Sequence, residues 1–149
     1  MSTPVRLDTA DALRSHLRIR ETVFFEVHGK RHEDSEPSDS KTVRTTQVMY
    51  AHNEGATTEA FSVRLRTDLV TPEASFVTDC AIFFSAEEPF SFSEEAVNGF
   101  MATTGVQLLD AHTREAIEQT AVRLRVKRPQ LGFPPLTGAA LAEGEEEEL

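Results

Sequence analysis

Between positions 17 and 84, apolar side chains return at every second residue in four separate runs, and from Ser93 onward they return at helical spacing. Strands come first and helices last. That order selects a sheet covered by helices on one face over alternating βαβ units. The predicted class is therefore α+β: a four-stranded antiparallel sheet followed by two helices packed on one face, with a short helix ahead of the sheet.

The third run, 61–69, alternates most cleanly. Phe61, Val63, Leu65 and Leu69 point one way and Ser62, Arg64, Arg66 and Asp68 the other, as in an antiparallel strand with one buried and one solvated face. Pro72 ends it. The fourth run, 76–84, is apolar on both sides: Phe76, Cys80, Ile82 and Phe84 on one, Val77, Ala81 and Phe83 on the other. The first, 17–28, places Leu17, Ile19, Val23, Phe25 and Val27 on an apolar face, with Glu21 breaking that face and Phe24 breaking the polar one. The second, 43–50, is rich in Val, Thr and Tyr, as strands are. Residues 29–42 read as a long polar loop and 51–56 as a turn punctuated by Asn53 and Gly55.

Helix signals are equally local. Thr9 is placed to cap a short helix over 9–16, and Ser93, followed by Glu94 and Glu95, to cap the first helix after the sheet, with Phe92 stapled onto Val97. Gly105 predicts a break. A long helix over 106–126 follows, its stripe made by Leu109, Ala116, Ile117, Ala121 and Leu124, and Arg123, Arg125, Lys127 and Arg128 suit its C-terminal end. Pro129 stops it.

A chain of 149 residues fits one domain, here 1–136, with a core that needs no metal or disulfide staple. Residues 137–149 hold five glutamates and no base, so half of the net charge of −10 belongs to a segment expected to be a disordered, solubilising tail. A single cysteine excludes an internal disulfide and fits a reducing compartment. No apolar run resembles a secretory signal or a membrane span, so a cytoplasmic protein is expected.

Catalytic signals are missing. Cys80 lies mid-strand among Phe, Ile and Ala, the setting of a buried small hydrophobe and not of a reactive thiol. His28, His32, Glu33 and Asp34 offer no second cluster to complete a metal site. Asp110, His112 and Glu115 do not share one helical face. There is no phosphate-binding loop and no nucleophile elbow. The expectation is no enzyme, no cofactor and no metal.

The positive signals are aromatics and arginines. Seven of the ten phenylalanines follow residue 75, more than such a sheet and two helices readily bury, which predicts an apolar groove or an oligomer interface. The residues put forward for binding an unfolded chain are Phe24, Val48, Tyr50, Phe83, Phe90, Phe92 and Phe133. Those put forward for self-assembly are Phe100, Met101, Leu108 and Leu109. Arg18, Arg20, Arg44, Arg64 and Arg66 all lie on strands, and most are expected to share the outer sheet face, where acids such as Glu26 and Asp68 could pair with them across strands. The chain's acidity argues against nucleic acid as their partner.

The stretch Phe100-Met-Ala-Thr-Thr-Gly105-Val-Gln-Leu-Leu-Asp-Ala-His112-Thr-Arg-Glu115-Ala-Ile, with Pro129-Gln-Leu-Gly-Phe-Pro-Pro-Leu136 after it, resembles the C-terminal half of the SecB family of bacterial export chaperones. There a Gly/Thr-x-x-x-Leu-Phe-Pro-Tyr-x-Arg-Glu-x-Ile helix leads into a proline-containing apolar tail. Leu109, Arg114, Glu115 and Ile117 fall on the pattern, while Asp110, Ala111 and His112 replace Phe-Pro-Tyr. The likeness spans about residues 17 to 136. It implies a dimer of dimers with helices between sheets, and an ATP-independent holdase for unfolded polypeptides. Family members deliver export clients to the SecA motor through an acidic outer face. A basic outer face here argues against SecA and brings in the SecB-like chaperones that guard an antitoxin in toxin–antitoxin systems. The competing reading is a non-chaperone oligomeric interaction protein with the same fold.

Overall fold

A computed structural model describes residues 5–33, 42–52 and 61–132. Phe133 and the tail over 137–149 lie outside them, as does the turn beyond His52. The elements are β1 (Val5–Leu7), α1 (Ala10–His16), β2 (Arg18–Arg31), β3 (Val43–His52), β4 (Phe61–Val70), β5 (Ala74–Ser85), β6 (Phe90–Phe92), α2 (Glu94–Phe100) and α3 (Val106–Leu124). The four long strands form one antiparallel sheet in the order β2-β5-β4-β3, so the predicted α+β architecture holds. The sequence reading missed a second, two-stranded sheet in which β1 runs parallel to β6, Val5 opposite Phe90 and Leu7 opposite Phe92. Three-residue strands carry too little periodicity to be seen alone.

The caps are where the sequence places them. Thr9 Oγ1 accepts from the Ala12 N–H at 3.0 Å, and Ser93 Oγ from the Ala96 N–H at 3.1 Å. Gly105 does not break the helix. Residues Met101–Gly105 form a π-helical turn in right-handed conformation, joining α2 to α3 without interruption. The glycine serves close approach instead: a Cβ there would meet Val63 of β4 at 3.2 Å. Nor do residues 29–31 belong to a loop, since β2 continues through them against β5. At Gly29 a Cβ would fall 2.3 Å from Thr120 Cγ2 of α3, so the helix rests on bare backbone there.

Alternation along β2 is reset twice. Register shifts between Ile19 and Glu21 and between Phe24 and Glu26 mark bulges. Each inserts one residue and flips the faces that follow. Pairing then sets Ile19, Phe24 and Val27 on the helix side, opposite Phe84, Cys80 and Thr78, and turns Val23 outward opposite Ala81. Phe25 also faces outward, its ring 4.3 Å from the Arg64 guanidinium carbon. Glu21 and Phe24, which seemed to interrupt a single face, are the visible trace of those bulges.

The core lies between the sheet and α2–α3. Phe61, Val63, Leu65, Cys80, Ile82 and Phe84 meet Val97, Phe100, Met101, Val106 and Leu109; a smaller cluster joins Leu69 and Phe76 to Ile117 and Ala121. Buried threonines 46, 67, 78 and 113 lie on the inner surface of the layers. Arg44 lies there too, which corrects its expected outward position: it pairs opposite Leu69, is 1% exposed, and its Nη2 meets Asp110 Oδ1 at 2.8 Å. Arg114 Nε binds the other carboxylate oxygen at 2.5 Å, and its two Nη groups hold the carbonyls of Leu131 and Gly132. Asp110 and Arg114 thus tie α3, β3 and the segment after the helix together.

Candidate binding groove along the edge strand

β2 borders the sheet and pairs only with β5, leaving the backbone groups of its other edge unclaimed within the sheet. Long apolar edges are normally kept short, charged or covered. This one is fourteen residues long and leaves Ile19 56%, Phe24 40%, Phe25 51% and Val27 48% exposed. They are four of the six large exposed apolar side chains among the described residues.

Between this edge and α3 runs a cavity of about 320 Å3, lined by Phe24 and Val27 from the strand and by His112, Glu115, Ala116, Gln119, Thr120 and Arg123 from the helix. The helical positions recur three and four apart, so they form one stripe beside the buried one of Leu109, Thr113, Ile117 and Ala121. His112 meets the Phe24 ring edge-on, centroids 6.4 Å apart. Glu115 accepts from Gln119 Nε2 at 3.3 Å, and Thr120 donates to its own helix at Ala116 O. Phe24, Val27 and Ala116 give the groove apolar surface and the other five side chains polar groups, as in sites that take a chain by burial and orient it by a few polar groups.

The residues put forward for binding an unfolded chain do not converge among the described residues. Phe24 lies in the groove. Val48 and Phe90 are buried in the core. Tyr50 and Phe92 are half-buried against each other and against Phe61, away from β2. Phe83 is half-buried on the outer face beneath Arg20. Of the assembly residues, Phe100, Met101 and Leu109 are sealed inside the protomer's own core, because α2 and α3 spend their apolar stripe on the sheet. Leu108 is half-buried.

The outer sheet face is ion-paired, not basic. Arg64 holds Asp79 with both Nε and Nη2, at 2.8 and 2.7 Å. Arg66 reaches Glu26 at 3.0 Å and Asp68 at 3.2 Å. Both guanidinium pKa values are raised, Arg64 chiefly by its hydrogen bond to Asp79 and Arg66 by that to Glu26. A basic outer face does not form because Asp68 on the same strand, Asp79 on the neighbouring β5 and Glu26 on β2 all reach these two guanidiniums. Arg18 turns back to the carbonyl of Ser15, and Arg20 stands 3.7 Å from Glu21.

The remaining candidates are structural. Cys80 is buried beside Thr113, and burial raises its pKa. The ring of His32 joins the end of β2 to the next turn through Pro72 O and Ser75 Oγ. Asp34 lies outside the described residues. Among those residues no three metal-ligating side chains gather, and no helix is long and apolar enough to cross a membrane.

No family model matches the chain, and no curated protein matches it. Among solved structures it is similar to the Mycobacterium tuberculosis Rv1957 SecB-like chaperone, solved in complex with a ChAD peptide from the Rv1956 HigA1 antitoxin. The TM-score is 0.61 at 20% identity, over 83% of this chain and 91% of that one. The likeness that the wording of α3 carries is therefore one of architecture: this chain has a SecB-like fold.

Proposed function

We propose that the protein is an ATP-independent holdase that takes unfolded polypeptide along β2 and the α3 groove. The single observation that carries this reading is the exposed apolar edge of β2 beside a groove lined in part by its Phe24 and Val27. An extended client finds two complementary features there: backbone groups able to add a strand, and side chains that reward burial without demanding a sequence. Fully burying a large apolar side chain gives about 1.5–3 kcal/mol, so four that are half exposed offer several kcal/mol. That suits holding and releasing. The likeness to a SecB-like chaperone solved with an antitoxin peptide supports a polypeptide client of this kind. Export or toxin–antitoxin control are both compatible with it, in a cytoplasmic, non-enzymatic role.

The same edge favours one second reading, a homo-oligomeric interaction protein in which β2 is covered by another copy. The two are separated by a dye that fluoresces on exposed apolar surface, added to the assembled protein. A holdase lights the dye and loses the signal to added client. An interaction protein whose edge is consumed by assembly stays dark and does not delay aggregation of a denatured client.

A further inference from the structure

At the C-terminal end of α3 lies a polar pocket that the groove does not use. Arg31 and His32, the carboxylates of Glu33 and Glu73, and Arg125 enclose about 600 Å3. Beyond Glu73, Lys127 and Arg128 line a neighbouring cavity of about 280 Å3. Across the two cavities four cations, Arg31, Arg125, Lys127 and Arg128, face two carboxylates, Glu33 and Glu73, and Glu73 Oε2 accepts from the Lys127 backbone N–H at 2.9 Å. The His32 ring is held by Pro72 and Ser75. Arg31 reaches only the Leu124 carbonyl, at 3.4 Å, and Arg125, Lys127 and Arg128 make no side-chain ion pair among the described residues.

Arg125 is also the one non-glycine residue with positive φ among the described residues, at φ 55° and ψ 44°. Glycine is usual at such a helix end, and any other residue there costs on the order of 1 kcal/mol. Strain kept at a residue whose side chain lines a pocket points to a use for that side chain.

A complementary segment exists within the chain: Glu143 and Glu145 to Glu148. Arg114 fixes the carbonyls of Leu131 and Gly132, so the chain leaves the domain beside the middle of α3. Eleven helical residues, about 16 Å, separate Arg114 from Arg125. Eleven further residues, able to span up to about 36 Å, separate Gly132 from Glu143. The run can reach the pocket, and tethering gives it an effective concentration on the order of millimolar. We propose that the glutamate run 143–148 docks within its own chain on the basic pocket of Arg31, Arg125, Lys127 and Arg128. Arginine–carboxylate pairs of this kind are charge-assisted and fork-shaped. The inference stands whatever the groove binds.

Gly144→Cys in the full chain accepts a spin label, because Cys80 is buried. In low salt, the label should broaden the amide signals of Arg31, His32, Arg125 and Lys127 at least threefold more than those of Arg18 and Ser85 at the opposite end of the sheet. The excess should vanish with Glu143 and Glu145 to Glu148 changed to Gln, or in 0.5 M salt. Arg125→Gly, which suits the left-handed backbone and so preserves the fold, should reduce it. Uniform broadening would overturn the proposal, as would a pattern unmoved by the Gln variant. Broadening seen only between separately labelled chains would overturn docking within the chain.

Discussion

The residue that most alters how this sequence reads is Asp110. It breaks the aromatic wording of the pattern that α3 otherwise resembles, and the structure spends it on Arg44 at 2.8 Å and Arg114 at 2.5 Å. With Arg44 1% and Asp110 2% exposed, Asp110→Ala leaves a buried guanidinium without its carboxylate. It should cost about 3–5 kcal/mol in urea unfolding, while Arg44→Met with Asp110→Leu recovers most of the loss. A double variant no more stable than the single one would show that the pair is not the cause. Cys80 gives a second residue-scale expectation. Burial raises its pKa from 9.0, and the hydrogen bond to Thr113 only partly offsets this. The folded state therefore keeps the thiol protonated where the unfolded chain ionises. Its contribution to stability is complete below about pH 9 and is lost as pH rises through the higher folded-state value. At pH 8 a thiol reagent should modify the native protein at least ~100-fold more slowly than the protein in urea.

At the scale of elements, what could be read locally was read well and what depended on neighbours was not. Thr9 and Ser93 announce their helices because a cap is chemistry between residues three apart. β4 was legible because its alternation is uninterrupted. β2 was not: two bulges reverse its faces, and only pairing with β5 reveals that Phe24 looks inward and Phe25 outward. The groove was half legible. Phe24 stands out in the sequence, but Ala116 reads there as part of the buried stripe and Arg123 as a helix-end cation, and only β2 beside α3 joins them with His112 and Gln119 into one groove. Arg44 looked like its neighbours on the strands because a buried partner 66 residues away leaves no local mark. The seat of α3 on β2 gives a test. Gly29→Ala should destabilise by about 1–3 kcal/mol, since the new methyl meets Thr120 at 2.3 Å, and Thr120→Ser alongside it should restore part of the loss.

For the whole molecule, a single protomer already seals Phe100, Met101 and Leu109 inside, so any assembly must use other surface. Sedimentation at micromolar concentration should show an oligomer, with a monomer near 16.6 kDa contradicting the expected self-assembly. Phe25→Glu, at a ring that stacks on Arg64 on the outer face, should weaken client holding less than Val27→Glu does. The most direct test of the holdase reading is aggregation of a chemically denatured client, without nucleotide, with wild-type protein and with Phe24→Glu plus Val27→Glu. Wild type should suppress light scattering at near-stoichiometric ratio. The double variant, still folded by circular dichroism because both side chains are about half exposed, should lose most of that suppression. Full suppression by the folded double variant, or none by wild type across several clients, would contradict client binding at this groove.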